Sequence, residues 1–369
     1  MRTTATRLAF IDALKAIASQ LIVLHHLAFY GPMSDVASQL APSLFSWLSQ
    51  DARIAVQVFL VIGGFLAARA LAPSGKLMTD KPLALLKKRY LKLVIPYFAA
   101  VLLSILCAAL ARRLMDHDSI PDPPGVWQVL AHIALMQNLL DFDSLSAGVW
   151  YIAIDFQLFT LLLFALWLAR AAGRGVAGTH FLGITLVAGL ALVSLFYFNR
   201  DSNWDNWALY FFGAYALGTL AYWLTDARQQ PGWLLVMVGV VVAALVVDFR
   251  SRIAVALLAA LALGIAQHRG FMENRPQGSV LAYLGKISYS VFLAHFPVIL
   301  VINAIFSRLA PQSPVANAFG IVLAWAASIA AGAVFYRFVE SRASFWQGLT
   351  IDPALRALKR FVLVFRTKP

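Results

Sequence analysis

Asp12, Lys15, His25 and His26 lie within one apolar stretch, from about Leu8 to Tyr30, long enough to cross a bilayer. A charge near the bilayer centre costs roughly 2.5–3.5 kcal/mol on insertion scales, so these groups need a partner, water or a ligand. At helical rise Lys15 and His26 are about 16 Å apart along the axis, near opposite ends of the span. A second carboxylate, Asp155, falls about 9 Å below the start of a later span that opens with Gly148-Val149-Trp150, at a depth like that of His26. A protected imidazole beside a carboxylate is the arrangement for a general base whose tautomer is fixed and whose protonated form is stabilised. His25 points about 100° away from His26 on a helix, and periodicity does not choose between them. His295 sits mid-span before Pro297, where packing against a helix break competes with a functional role.

A different set of residues suits an anion. Arg69 closes one apolar segment, Lys87-Lys88-Arg89-Tyr90-Leu91-Lys92 opens the next, and Tyr336-Arg337 with Glu340 ends the last. Ordinary topology signals account for part of this, but convergent cations also bind phosphates, and a phosphorylated donor fits there.

The elements that must position these groups are membrane helices. The chain is 61% hydrophobic and 13% charged, with a mean hydropathy of +0.76. Soluble domains are roughly 45–50% apolar, so the expected class is all-α, a polytopic integral membrane protein. Ten spans are expected near 8–30, 52–72, 90–112, 149–170, 179–198, 206–224, 232–248, 252–267, 283–306 and 316–338. Trp127 to Leu140 is shorter and more amphipathic, which suits an interfacial or re-entrant helix, with an eleventh span as the alternative. The first apolar run is too long and too polar for a cleaved signal peptide and reads as a retained span.

Lys76, Lys81, Lys87, Lys88 and Arg89 crowd segment 73–89, and the tail carries Arg342, Arg356, Lys359, Arg360, Arg366 and Lys368, whereas 31–51 has no Lys or Arg. The positive-inside rule then puts both termini in the cytoplasm. A basic rim beside anionic membrane lipids explains the net charge of +13 with no nucleic acid partner. The lone Cys107 sits in an apolar run and excludes disulfides and thiolate metal sites; no metal is implied. The organisation expected is one membrane domain, 1–340, and a basic cytoplasmic tail, 341–369.

Several stretches resemble, in order, the membrane-bound acyltransferase-3 family, bacterial proteins that O-acylate carbohydrates. Lys15 and His26 have the spacing of that family's opening Arg and essential His. Phe59-Leu60-Val61-Ile62-Gly63-Gly64-Phe65 is similar to its second-span motif, and the basic run before Ile95-Pro96-Tyr97 to another element. Trp150-Tyr151-Ile152-Ala153-Ile154-Asp155-Phe156-Gln157 is similar to its Trp-x-Leu-x-x-Glu-x-Gln pattern. Leu284 to Pro297 and Tyr336-Arg337-Phe338-Val339-Glu340 are similar to its late motifs. Three positions depart: Lys15 stands for Arg, Gly63 for Ser and Asp155 for Glu. Lysine keeps the charge but loses the bidentate fork.

The resemblance implies an O-acyltransferase, most simply an O-acetyltransferase of a bacterial inner membrane. Its donor would be cytoplasmic acyl-CoA, in the first place acetyl-CoA, and its acceptor a hydroxyl of a glycan or lipid-linked glycan at the outer face. His26 would be the catalytic base and Asp155 its orienting carboxylate, supported by His25, Lys15, Asp12 and Trp150. Lys15, Arg69, Lys88, Arg89, Tyr90, Lys92 and Arg337 would receive acyl-CoA, with His295, Ser288 and Tyr289 as further candidates. Trp150, Asn138 and Tyr289 are candidate oxyanion donors. A transporter or flippase for a lipid-linked sugar is the rival reading, with Lys15, His26 and Asp155 lining its path.

Overall fold

The computed structural model describes residues 8–173, 179–225, 232–273, 280–343 and 345. Nearly all of the tail 341–369 lies outside these residues. Thirteen α-helices form among them, and no strand. They are α1 Ala9–Phe29, α2 Pro32–Ala37, α3 Pro42–Gln50, α4 Val56–Leu71, α5 Pro82–Leu114, α6 Val126–Ile133 and α7 Val149–Ala172. There follow α8 Thr179–Phe196, α9 Ala208–Leu224, α10 Gly232–Val247, α11 Ser251–His268, α12 Val280–Leu309 and α13 Pro314–Phe338. Ten of them coincide with the ten expected spans. Among the described residues eight segments are long and apolar enough to cross a membrane, while α9 and α10 are shorter. The protein is an all-α, multi-pass membrane protein.

Two helices run beyond the bounds expected of them. α5 begins at Pro82, whose fixed φ and missing N–H suit the first helical turn, and carries the basic run as its opening turns. α12 continues through Pro297 to Leu309 rather than breaking there. The segment from Trp127 to Leu140 is not a span: α6 has eight residues, about 12 Å at helical rise against the roughly 30 Å of a bilayer core. It folds back along α5, where the Tyr90 hydroxyl donates to the carbonyl of Ile133 at 2.8 Å and the His132 ring lies 6.5 Å from that of Tyr97.

Small residues let the helices touch at their backbones, as membrane interfaces commonly require. A Cβ on Gly64 of α4 would fall 1.8 Å from the carbonyl oxygen of Tyr215 on α9, and one on Gly218 of α9 would fall 1.9 Å from that of Val61 on α4. α12 meets α1 in the same way, with Gly285 against the Asp12 carbonyl. This clamp of α1 on α12 and of α4 on α9 holds the polar side chains in register.

Candidate functional site

His26 and His295 come together where α1 crosses α12. His26 Nδ1 lies 2.7 Å from His295 Nε2, and both residues are buried. His295 Nδ1 faces the Val291 carbonyl at 3.3 Å, an oxygen that can only accept, so this nitrogen carries its proton. In the neutral dyad His295 Nε2 is then an acceptor, and His26 must donate from Nδ1. That tautomer leaves the lone pair of His26 on Nε2, which has no partner among the described residues.

His26 lines a cavity of about 820 Å³. Its walls come from the end of α1, the 3₁₀ turn Ala52–Ala55 with the start of α4, the first turn of α7, and the segments entering α9 and α11. The lining is mixed. Trp150, Tyr151, Tyr210, Phe211 and Phe249 supply rings, while Gln50, Gln57, Asn138, Asn206, Asp51, Asp205, Arg53 and Arg252 supply hydrogen-bonding groups. His25 lines it too, but its Nδ1 is engaged with the Leu48 carbonyl at 3.0 Å, so the dyad belongs to His26.

Asp155 does not face His26. Its carboxylate is ion-paired with the guanidinium of Arg89, whose plane also lies 5.3 Å from the centre of the Phe159 ring. Depth alone suggested the His26–Asp155 pairing; the reach of a long arginine from α5 overrides it. Arg89 is therefore turned inward rather than towards the exposed cations Arg69, Lys88 and Lys92. The two polar centres are joined by aromatic rings: Phe292 lies 6.0 Å from His295 and 5.7 Å from Tyr151, Phe59 packs on both Phe292 and Tyr151, and Tyr151 stands one turn before Asp155.

Lys15 lies within electrostatic range of Asp12, Lys92, Glu340 and Arg89, and Lys92 within range of Arg89 and Glu340. Glu340 accepts a 2.5 Å hydrogen bond from Ser290. Arg337 is exposed and stacks over Phe338. Ser288 donates to the Gly285 carbonyl, the Tyr289 hydroxyl donates to the Leu93 carbonyl at 3.3 Å, and neither is among the residues that line the cavity. Of the oxyanion candidates, Trp150 and Asn138 line it. Among the described residues no group of three or more His, Cys, Asp or Glu converges as a metal site would.

Outside the long helices, burial shifts His132 towards the neutral form against a smaller opposing hydrogen bond from its Nδ1 to the Gln128 carbonyl. Its Nε2 accepts from the Leu145 backbone N–H, tying the two limbs of the folded-back segment together.

Gln57 and Arg252 are the residues that reading the sequence missed. A carboxamide interrupting the apolar run from Ile54 to Leu60 was a usable signal; nothing local marked Arg252, which stacks over Tyr210 at 4.6 Å.

A family model described as an acyltransferase domain matches residues 8–337. Among curated proteins, the chain is similar to "Regulator of hypoxia-inducible factor 1" of Caenorhabditis elegans, at 22% identity over 91% of this chain and 80% of that protein. No solved structure matches it.

Proposed function

The chain belongs to the acyltransferase-3 family, and we propose that it moves an acyl group, most simply acetyl, from acyl-CoA to a hydroxyl of a glycan or lipid-linked glycan at the outer face of a bacterial inner membrane. The observation that carries this reading is the free Nε2 of His26, with its tautomer set by His295, opening on a cavity large enough for a sugar unit. In the proposed step the acceptor oxygen attacks the thioester carbonyl carbon while His26 Nε2 takes its proton. The tetrahedral adduct collapses, the C–S bond breaks, and the imidazolium returns the proton to the leaving thiolate. Rings and amides around the cavity support a carbohydrate acceptor, since sugars offer hydroxyls and flat apolar faces together.

Lys15 and Lys92, with the exposed Arg69 and Lys88, are the cations assigned to the CoA phosphates. Arg89 is already neutralised by Asp155 and takes a structural place between the two ends. In this reading a pantetheine arm passing from Lys15 to His26 runs beside the rings of Phe59, Tyr151 and Phe292, which pack on one another between the two polar centres.

The test is a mass comparison of surface and exported glycans from cells with the wild-type protein, with His26→Ala and with no protein. One acyl increment seen only with wild type is the expected result. Identical acylation in all three, with surface delivery reduced in the cells lacking the protein, would replace this reading with the transporter.

A further inference from the structure

Gln57 is the second residue of α4, and its backbone neighbours Val56, Val58, Phe59 and Leu60 are all apolar. The residue is 7% exposed, lines the cavity that holds His26, and has no hydrogen-bond partner among the described residues. Its amide opens on the mixed polar and aromatic lining of the cavity with no described protein group taking its hydrogen bonds, so it is available to a ligand there. Its place in the fold says which part of the ligand. The 3₁₀ turn just before it and α4 itself both pack against α1, which carries His26. α7 opens its N-terminal end on the same cavity at Gly148, φ +80°, and Trp150. The cavity that holds the base is thus also lined by the Gln57 amide and by the N-terminal end of α7, where a helix dipole favours negative charge.

We propose that the side-chain amide of Gln57 donates a hydrogen bond to the oxyanion of the tetrahedral adduct. This rests on the acyl-transfer reading above. As the acceptor oxygen bonds to the carbonyl carbon, the carbonyl electron pair moves onto oxygen, and the charge that develops is where a preorganised donor acts most strongly. Collapse returns that pair to the C=O bond as the C–S bond breaks. Gln57 neither gains nor loses a proton.

Two non-reacting analogues separate this role from simple packing. S-acetonyl-CoA presents a planar methyl ketone, and S-trifluoroacetonyl-CoA presents a carbon that is readily tetrahedral. Binding of both to the full-length protein in nanodiscs is measured for wild type, Gln57→Met and Gln57→Asn. Wild type is expected to prefer the trifluoro ketone. Gln57→Met is expected to lower that preference about 100-fold or more while leaving methyl ketone affinity unchanged, as loss of one oxyanion donor does in other acyl-transfer enzymes. Gln57→Asn, which keeps a shorter amide, falls between.

A preference unchanged in Gln57→Met, or a loss equal for both ketones, would overturn the proposal. If Gln57→Met fails to fold, Gln57→Asn decides: a reduced preference supports the role and an equal loss of both ketones removes it. Wild-type protein that binds neither analogue would remove the acyl-CoA reading and this proposal with it, whereas wild type that binds both equally would remove only this proposal.

Discussion

His26 Nδ1 and His295 Nε2 lie 2.7 Å apart with the two rings 7° from parallel, a contact between residues 269 positions apart in the chain. Each imidazole has one donor and one acceptor when neutral, so the chain from Val291 through His295 to His26 has a direction. It ends on a lone pair facing the cavity. In the proposed reaction His295 is thus a positioning residue, doing from α12 what a carboxylate does in many hydrolases.

His26→Ala should abolish acylation with membrane insertion intact. His295→Ala should lower kcat by roughly 10²–10⁴, the range over which general-base assistance acts. His295→Gln, whose carbonyl can still accept from His26 Nδ1, should restore part of that loss, and His26→Ala/His295→Ala should be no worse than His26→Ala alone. A fully active His295→Ala protein would break the assignment.

The Arg89–Asp155 pair makes a different prediction. Removing one partner of a buried ion pair costs roughly 3–5 kcal/mol because the other is left charged. The cost should be smaller here, since the Arg89 side chain keeps 28% exposure while Asp155 keeps 6%. Asp155→Leu and Arg89→Met should each lower the melting temperature of the detergent-solubilised protein. The double variant should recover much of it, because two apolar side chains replace a neutralised pair. Were Asp155 a direct partner of His26, the double variant would be as inactive as Asp155→Leu alone; recovery of acylation alongside stability favours the structural role.

What the sequence disclosed and what it hid follow from the range of each signal. Apolar runs of bilayer length are local, and they located ten helices. The first turns of α5 escaped because a basic, proline-led segment lowers hydropathy without opposing helix, as Pro82 at the first position shows. The His26–His295 contact joins the first helix to the twelfth, and no periodicity within either encodes it. Arg89 was masked by its neighbours: in Lys87-Lys88-Arg89 a residue aimed inward looks the same as two aimed at lipid headgroups. Asp155 was correctly marked as a charge needing a partner, and the partner was the part that required three dimensions.

Acid should loosen the segment that folds back along α5. Burial holds the His132 imidazole below its ordinary value, so the unfolded chain binds the extra proton first as pH falls. The stability it contributes is whole above about 6.5, the ordinary imidazole value, and is lost as pH drops through and below it. Protection of the amides of Ala131, His132 and Leu145 against hydrogen exchange, with the intrinsic pH dependence of exchange divided out, should fall between pH 7.5 and 5 in the wild-type protein. The same fall in His132→Gln would show that another group titrates.

Adjacent glycines on α4 should respond differently to a single added side chain. A Cβ on Gly63 would meet the edge of the Tyr215 ring at 3.0 Å and Asp155 Oδ1 at 3.3 Å. The ring can give by a few tenths of an ångström, and a serine hydroxyl there would lie beside a carboxylate oxygen able to accept from it. Gly63→Ser should therefore fold and stay active. A Cβ on Gly64 would stand 1.8 Å from a backbone carbonyl of α9, which can yield only if the two helices separate. That separation would also break the hydrogen bond from Thr219 Oγ1 to the Gly64 carbonyl at 3.1 Å. Gly64→Ala should cost at least the roughly 1–3 kcal/mol of an overpacked core, visible as a lower melting temperature and less monodisperse protein after detergent extraction. A Gly64→Ala protein as stable as wild type, or a Gly63→Ser protein that fails to fold, would show that α4 and α9 do not pack through these two glycines as described.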